Sequence, residues 1–357
     1  MKTSNFDKTV YAFHKWFGLI AGLFILMLSL TGIVLLFDDE IDTTLNADLV
    51  KVTPSGAKLP YDSLLTNLKV KYPLATLNFT NLATGKPDRA VMTALSIGKE
   101  RIWVHQNPYT GAVVGERPFD GVLVKKILRV HEHLTLGDTG HAILLLVGLS
   151  LIGLVVTGLW YYRKSLLSVF TIGIRTRTTL LKYSDLHKLT GVLSFVFLFM
   201  IAVTGSFMHW EKVERLFGDS PARSQEPKPE PLKAVELTID IDKALAEAEA
   251  QVKGFEAVVV NYPKSKDNPL TIRGNRPESN LLLGKFGVEI QTDLVSGKII
   301  KTEFSEDADS EKKLEAFMEQ THFGKFGGLF IKLLYTFGSL GLSTMTISGF
   351  VIWWKKK

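Results

Sequence analysis

His14-Lys15-Trp16-Phe17-Gly18 opens an apolar run that closes on Thr31-Gly32, and His187-Lys188-Leu189-Thr190-Gly191 opens a second that closes on Thr204-Gly205. The landmarks share their offsets: Lys at +1 from the histidine, Gly at +4 and Thr-Gly at +17/+18. At 3.6 residues per turn, 4 residues make about one turn and 18 about five, so the histidine and both glycines lie close to one face of a membrane-length helix. A bulky flat cofactor, ligated at one end and passing close to backbone at the other, needs such a face.

The composition around these runs is segregated. Hydrophobic residues make up 46% of the 357 and charged residues 22%, an unusual pairing for a soluble protein. The apolar residues concentrate in four stretches, 16–37, 142–162, 192–208 and 329–354. Each approaches or exceeds the ~20 residues that cross a bilayer core as a helix. Lys2, Lys8 and Lys15 precede the first; Arg163, Lys164, Arg175, Arg177, Lys182 and Lys188 lie between the second and third; Lys355, Lys356 and Lys357 end the chain. With four spans these groups share one side, and the positive-inside rule makes that side, with both termini, cytoplasmic. The net charge of +6 is then topological, and nucleic acid is not an expected partner. The first span is too long and lacks a small-residue cleavage site, so it reads as an uncleaved anchor. Without any cysteine, disulfides, thiolate metal sites and covalent haem attachment through cysteine are excluded.

The chain then divides as tail and first span 1–37, external segment 38–130, second span with its histidine entry 131–162, basic loop 163–186, third span 187–210, external segment 211–321, and fourth span with tail 322–357. In the first external segment a helix from Pro60 to about Tyr72 precedes alternating, strand-like runs at 76–82, 89–96, 101–106 and 112–114; an amphipathic helix at 121–134 leads to the membrane. The second segment repeats this after a Pro-rich linker at 219–231: a helix at 241–252, then strands at 256–262, 270–273 and 285–292 and the run Asp293–Ile300. Val104–Val114 and Ile290–Ile300 align without a gap. The expected fold is a membrane protein of four transmembrane helices, a duplicated two-helix unit with two periplasmic α+β modules of a helix and a few antiparallel strands each. Two copies with an even number of spans share their orientation, which implies a pseudo-two-fold axis along the membrane normal.

The repeat also sorts the eight histidines. From His131, Gly137 comes at +6 and Thr157-Gly158 at +26/+27; from His322, Gly328 and Ser348-Gly349 come at the same offsets. His14 therefore matches His187, and His131 matches His322. His105, His133, His141 and His209 fall opposite other residues, with His209 held as an alternative upper ligand and His133 or His141 behind it. Symmetry pairs His14 with His187 at the cytoplasmic end and His131 with His322 at the external end. Each pair offers two neutral imidazoles to the six-coordinate iron of a non-covalently held haem b. Gly32 and Gly205 lie roughly 27 Å up their helices, near the upper pair, where a porphyrin edge needs room. Gly18 and Gly191 flank the lower histidines, and Gly158 and Gly349 return to their level. Lys15 and Lys188 are candidates for the lower haem's propionates, with Arg129, Lys325 or Lys332 above. Snorkelling cations and small residues at helix contacts are the alternative readings of these positions.

With these motifs (His14-Lys-Trp-Phe-Gly…Thr-Gly32, His131…Gly137-Asp-x-Gly140, His187-Lys-Leu-Thr-Gly…Thr-Gly205, His322-Phe-Gly) the sequence resembles the PepSY-associated transmembrane family over nearly its whole length. The Asn107-Pro-Tyr-Thr-Gly111 and Asp293-Leu-Val-Ser-Gly297 turns fit that family's external modules. The resemblance implies a bacterial inner-membrane protein, b-type haems in the spans, and electron delivery to a periplasmic ferric chelate. Members fused to a flavin reductase exist, but the short cytoplasmic loop here leaves no room for one. The donor is then quinol or a separate flavoprotein. The expected function is a two-haem ferric-siderophore reductase, set against a periplasmic binding or assembly protein and a metal-ion transporter lined by the same histidines.

Overall fold

The computed structural model describes residues 5–164, 166, 168–217, 240–265, 268–293 and 296–357; the expected linker at 219–231 lies outside them. In chain order the first half contains α1 (Asn5–Leu36), α2 (Asp38–Leu45), α3 (Ala47–Val50), α4 (Tyr61–Lys71), β1 (Thr76–Asn81), β2 (Val91–Ile97), β3 (Glu100–Gln106), β4 (Val113–Pro118), α5 (Leu123–His133) and α6 (Asp138–Tyr162). The second half contains α7 (Ser168–Ile172), α8 (Thr179–Phe217), α9 (Ile241–Gln251), β5 (Glu256–Asn261), β6 (Leu270–Asn275), β7 (Val288–Thr292), β8 (Ile299–Phe304), α10 (Ser310–Phe323) and α11 (Gly328–Lys355). These elements form two units, one of Met1–Asp38, Ile127–Arg223 and Thr321–Lys357, the other of Asp39–Lys126 and Ser224–Gln320.

In the first unit α1, α6, α8 and α11 are long and apolar enough to cross a membrane. α1 packs on α6 and α11, and so does α8, which closes a four-helix ring with α1 and α8 on one diagonal. Ala21, Ile25, Val147, Leu151, Leu198, Ala202 and Leu342 fill its interior. Ser29 and Ser343 hydrogen-bond there at 2.8 Å. The outer face keeps large apolar side chains exposed, with Ile20 at 71% and Phe330 at 75%, as helices surrounded by lipid do. α8 begins at Thr179, ahead of the third span expected from residue 187, because the polar run from Thr179 to Leu186 contains no Gly or Pro to stop a helix.

In the second unit the strands form one antiparallel sheet in the order β4-β3-β2-β1-β5-β6-β7-β8. The separate modules expected from sequence are therefore joined: Phe79, Thr80 and Asn81 of β1 pair with Asn261, Val260 and Val259 of β5. Their apolar residues share one core, with Leu68, Leu95 and Val104 from the first half and Ile241, Val260, Ile272 and Ile290 from the second. α4 and α9 begin side by side and cap one another. The amides of Tyr61 and Asp62 donate to the Asp242 carboxylate at 2.9 Å, and the Asp242 amide donates to Asp62 at 3.0 Å. A carboxylate at a helix start satisfies amides that have no partner within the helix.

The two outer hairpins match bond for bond. The Gly111 amide donates to Asn107 and the Gly297 amide to Asp293, both at 2.9 Å, with φ of +73° and +68°. Positive φ is the reason for glycine at both places. The register shift between His105 and Gln106 recurs between Gln291 and Thr292.

Candidate functional site

The four histidines selected by the repeat meet in two couples within the bundle unit. His14 of α1 and His187 of α8 have ring centres 6.3 Å apart at an interplanar angle of 84°. His131 of α5 and His322 of α10 are also 6.3 Å apart, at 56°. The short helices α5 and α10 each end in a tight turn before the following span. Gly137 and Gly328, both six residues after the histidine, take φ of +56° and +61° there.

Each imidazole is tied at Nδ1 by the Thr-Gly or Ser-Gly pair at its own level. Nδ1 of His14 lies 3.0 Å from Thr157 Oγ1, that of His131 2.8 Å from Thr31, and that of His322 2.9 Å from Thr204. For His187 the partners are Ser348 Oγ at 3.0 Å and the Met345 carbonyl at 2.9 Å. A carbonyl only accepts, so His187 Nδ1 carries the proton. The threonine hydroxyls spend their own protons within their helices, Thr31 on Met27 at 2.8 Å and Thr204 on Met200 at 2.8 Å. Nδ1 protonated leaves Nε2 with a free lone pair, the tautomer a metal ligand needs.

The glycine of each pair makes room for that ring. A Cβ on Gly205 would stand 3.0 Å from His322 Cε1, on Gly158 3.3 Å from His14, on Gly32 3.4 Å from His131 and on Gly349 3.6 Å from His187. Among the protein's own side chains, the imidazole is what stands nearest these glycines. Gly18 and Gly191 face Leu154 and Met345 of the neighbouring spans. Lys15 lies over the Trp16 ring at 4.6 Å. Lys188 lies 3.7 Å from Asp185. Lys325 pairs with Asp38 at 2.8 Å and Lys332 lies over Phe37 at 5.4 Å.

The donor set fits haem iron. With metal–nitrogen bonds of about 2.0 Å and a ring centre about 1 Å behind its nitrogen, two imidazoles on opposite sides of one ion stand about 6 Å apart. Both couples have that spacing, and Nδ1 of each ring is turned to a partner in the bundle. The two levels are about 26 Å apart along α1, from His14 to Thr31.

Sequence reasoning missed a third group. His141 and His209, which the repeat sets aside, have their Nδ1 atoms 3.2 Å apart, and His133 lies beside His141 with ring centres separated by 5.6 Å. The internal match set them aside because none of the three has a histidine at its matching position.

The chain belongs to the PepSY-associated transmembrane family: the family's model, described as PepSY-associated TM region, matches residues 11–356. With its four apolar spans it is a multi-pass membrane protein. No curated protein matches it.

Proposed function

We propose that this chain is a two-haem b oxidoreductase of the bacterial inner membrane, a duplicated two-helix unit with its sheet on the periplasmic side and both termini in the cytoplasm. It delivers electrons to a periplasmic acceptor, and the acceptor class is a ferric siderophore. The reading is carried by one observation: two facing imidazole couples, each 6.3 Å between ring centres, lie at the two ends of one bundle.

Haem b, when bound, supplies a one-electron carrier at each level. The chain's own residues do the rest. His14 with His187, and His131 with His322, would hold the irons; Thr157, Ser348, Thr31 and Thr204 fix their tautomers; Gly158, Gly349, Gly32 and Gly205 let the rings close against the helices. Gly18, Gly191, Lys15 and Lys188 border the lower site, with both lysines on the basic side of the membrane to meet propionates. One electron takes the chelated Fe(III) to Fe(II), which hard oxygen donors hold less tightly, and the iron leaves the siderophore. The electron comes from quinol or a separate flavoprotein.

The test uses the full chain in lipid vesicles, reduced with dithionite and mixed with a ferric siderophore in a stopped-flow spectrometer. Reoxidation of the haem bands, with Fe(II) appearing in a ferrozine trap at one per electron, supports the proposal. Haem bands that stay reduced in the presence of ferric chelates of every siderophore class would contradict the acceptor assignment.

A further inference from the structure

We propose that His133, His141 and His209 form a binding site for a first-row divalent metal ion, separate from the two facing couples. His133 ends α5, His141 sits in the first turn of α6 and His209 lies toward the external end of α8, all within the bundle unit. The Nδ1 atoms of His141 and His209 point at one another across 3.2 Å. Two nitrogens each about 2.0–2.1 Å from one tetrahedral ion stand about 3.3 Å apart, so this couple already has the spacing of neighbouring ligands.

His133 supplies the third donor. Its ring centre is 5.6 Å from that of His141, and its Nδ1 is buried with no hydrogen-bond partner in the structure. A buried polar nitrogen left unpaired is costly, and a ligand removes that cost. The three imidazoles do not already converge to ligand spacing, so binding requires the His133 side chain to turn. Gly140 holds the approach: a Cβ there would stand 1.8 Å from the His133 carbonyl oxygen, so no other residue lets α6 start this close to the end of α5.

The internal repeat does not explain the cluster. His133 and His141 come from the first half and His209 from the second, and their matching positions carry Gly324, Lys332 and Leu36, none of them an imidazole. Three imidazoles suit Zn²⁺, Cu²⁺ or Fe²⁺ over Mg²⁺ or Ca²⁺. None of this depends on haem being the ligand of the other four histidines.

The test takes the full chain, purified through a tag that contains no histidine, and dialyses it to equilibrium against Zn²⁺. One Zn²⁺ per chain is expected, with affinity weakened about tenfold or more in both His141→Gln and His209→Gln. Haem content should be unchanged in those variants, and Zn²⁺ binding should be unchanged in His131→Ala. Wild-type protein loaded with Cu²⁺ below one equivalent gives a reading that needs no variant: nitrogen splitting from imidazoles in its paramagnetic resonance spectrum. No Zn²⁺ uptake above that of a His133→Gln/His141→Gln/His209→Gln triple variant, or a Cu²⁺ spectrum with oxygen ligands only, overturns the site.

Discussion

Thr31 and His131 are joined side chain to side chain at 2.8 Å, although α1 and α5 are separated by most of an external segment. The same bond recurs between Thr204 and His322 at 2.9 Å and between Thr157 and His14 at 3.0 Å. A hydroxyl that holds Nδ1 in place orients Nε2, and outer partners of this kind are worth about 10–100-fold in metal affinity. Thr31→Val and Thr204→Val should each lower haem affinity at the upper level by that order, with the lower level unaffected. Haem transfer to apomyoglobin, followed in the Soret band, measures it; equal loss from both levels contradicts the assignment.

Gly205 and Gly18 separate the roles of the repeat's glycines. An added Cβ would press on His322 at 3.0 Å in the first case and meet only Leu154 at 3.6 Å in the second. Gly205→Ala should displace the His322 ring and shift or abolish the upper haem's low-spin spectrum. Gly18→Ala should keep both haems. If Gly18→Ala proves the more damaging, the imidazole is not what sets the need for glycine.

The Asp62 carboxyl, at the joint start of α4 and α9, is pushed up to about 6, first of all by burial. An acid that binds its proton more tightly when folded makes the fold less stable as pH rises from its ordinary value near 4 through about 6. In thermal unfolding of the full chain in detergent, the midpoint of Asp62→Asn, which keeps an oxygen for the Asp242 amide, should therefore gain on the wild type's as pH rises across that window, and stand above it at pH 7. A difference between the two proteins that stays constant with pH rules this out.

Ile272 lies in β6 and is fully buried in the core that the two halves of the sheet share. Ile272→Ala should cost about 2–5 kcal/mol. Because β1 pairs with β5, the loss should reach the other half, and amide exchange in β2 and β3 should speed up by the same free energy as exchange in β6. Faster exchange confined to β5–β8 would show two independently stable halves.

The spans were legible because a bilayer demands length and apolarity, which any sequence displays, and the four paired histidines because the repeat tests each against its partner. The role of the Thr-Gly pairs was half legible. Their spacing placed them at the opposite couple's level, but a hydroxyl bond from Thr31 to a ring 100 positions away leaves no local signature. The single sheet was hidden for a related reason. Pairing of Thr80 with Val260 joins strands far apart in sequence, and β1 and β5 each read as an ordinary strand. His133, His141 and His209 were set aside by the reasoning that found the other four, since none of them has a histidine at its matching position.

Haem stoichiometry tests the central claim most directly. A pyridine haemochrome assay on purified protein from haem-replete cells should give two haems b per chain, falling to one in His14→Ala or His187→Ala and to one in His131→Ala or His322→Ala. The His14 and His131 variants should leave different haems, distinguishable by potential. Folded protein without haem, or variants of all four histidines that keep the full complement, would contradict the account.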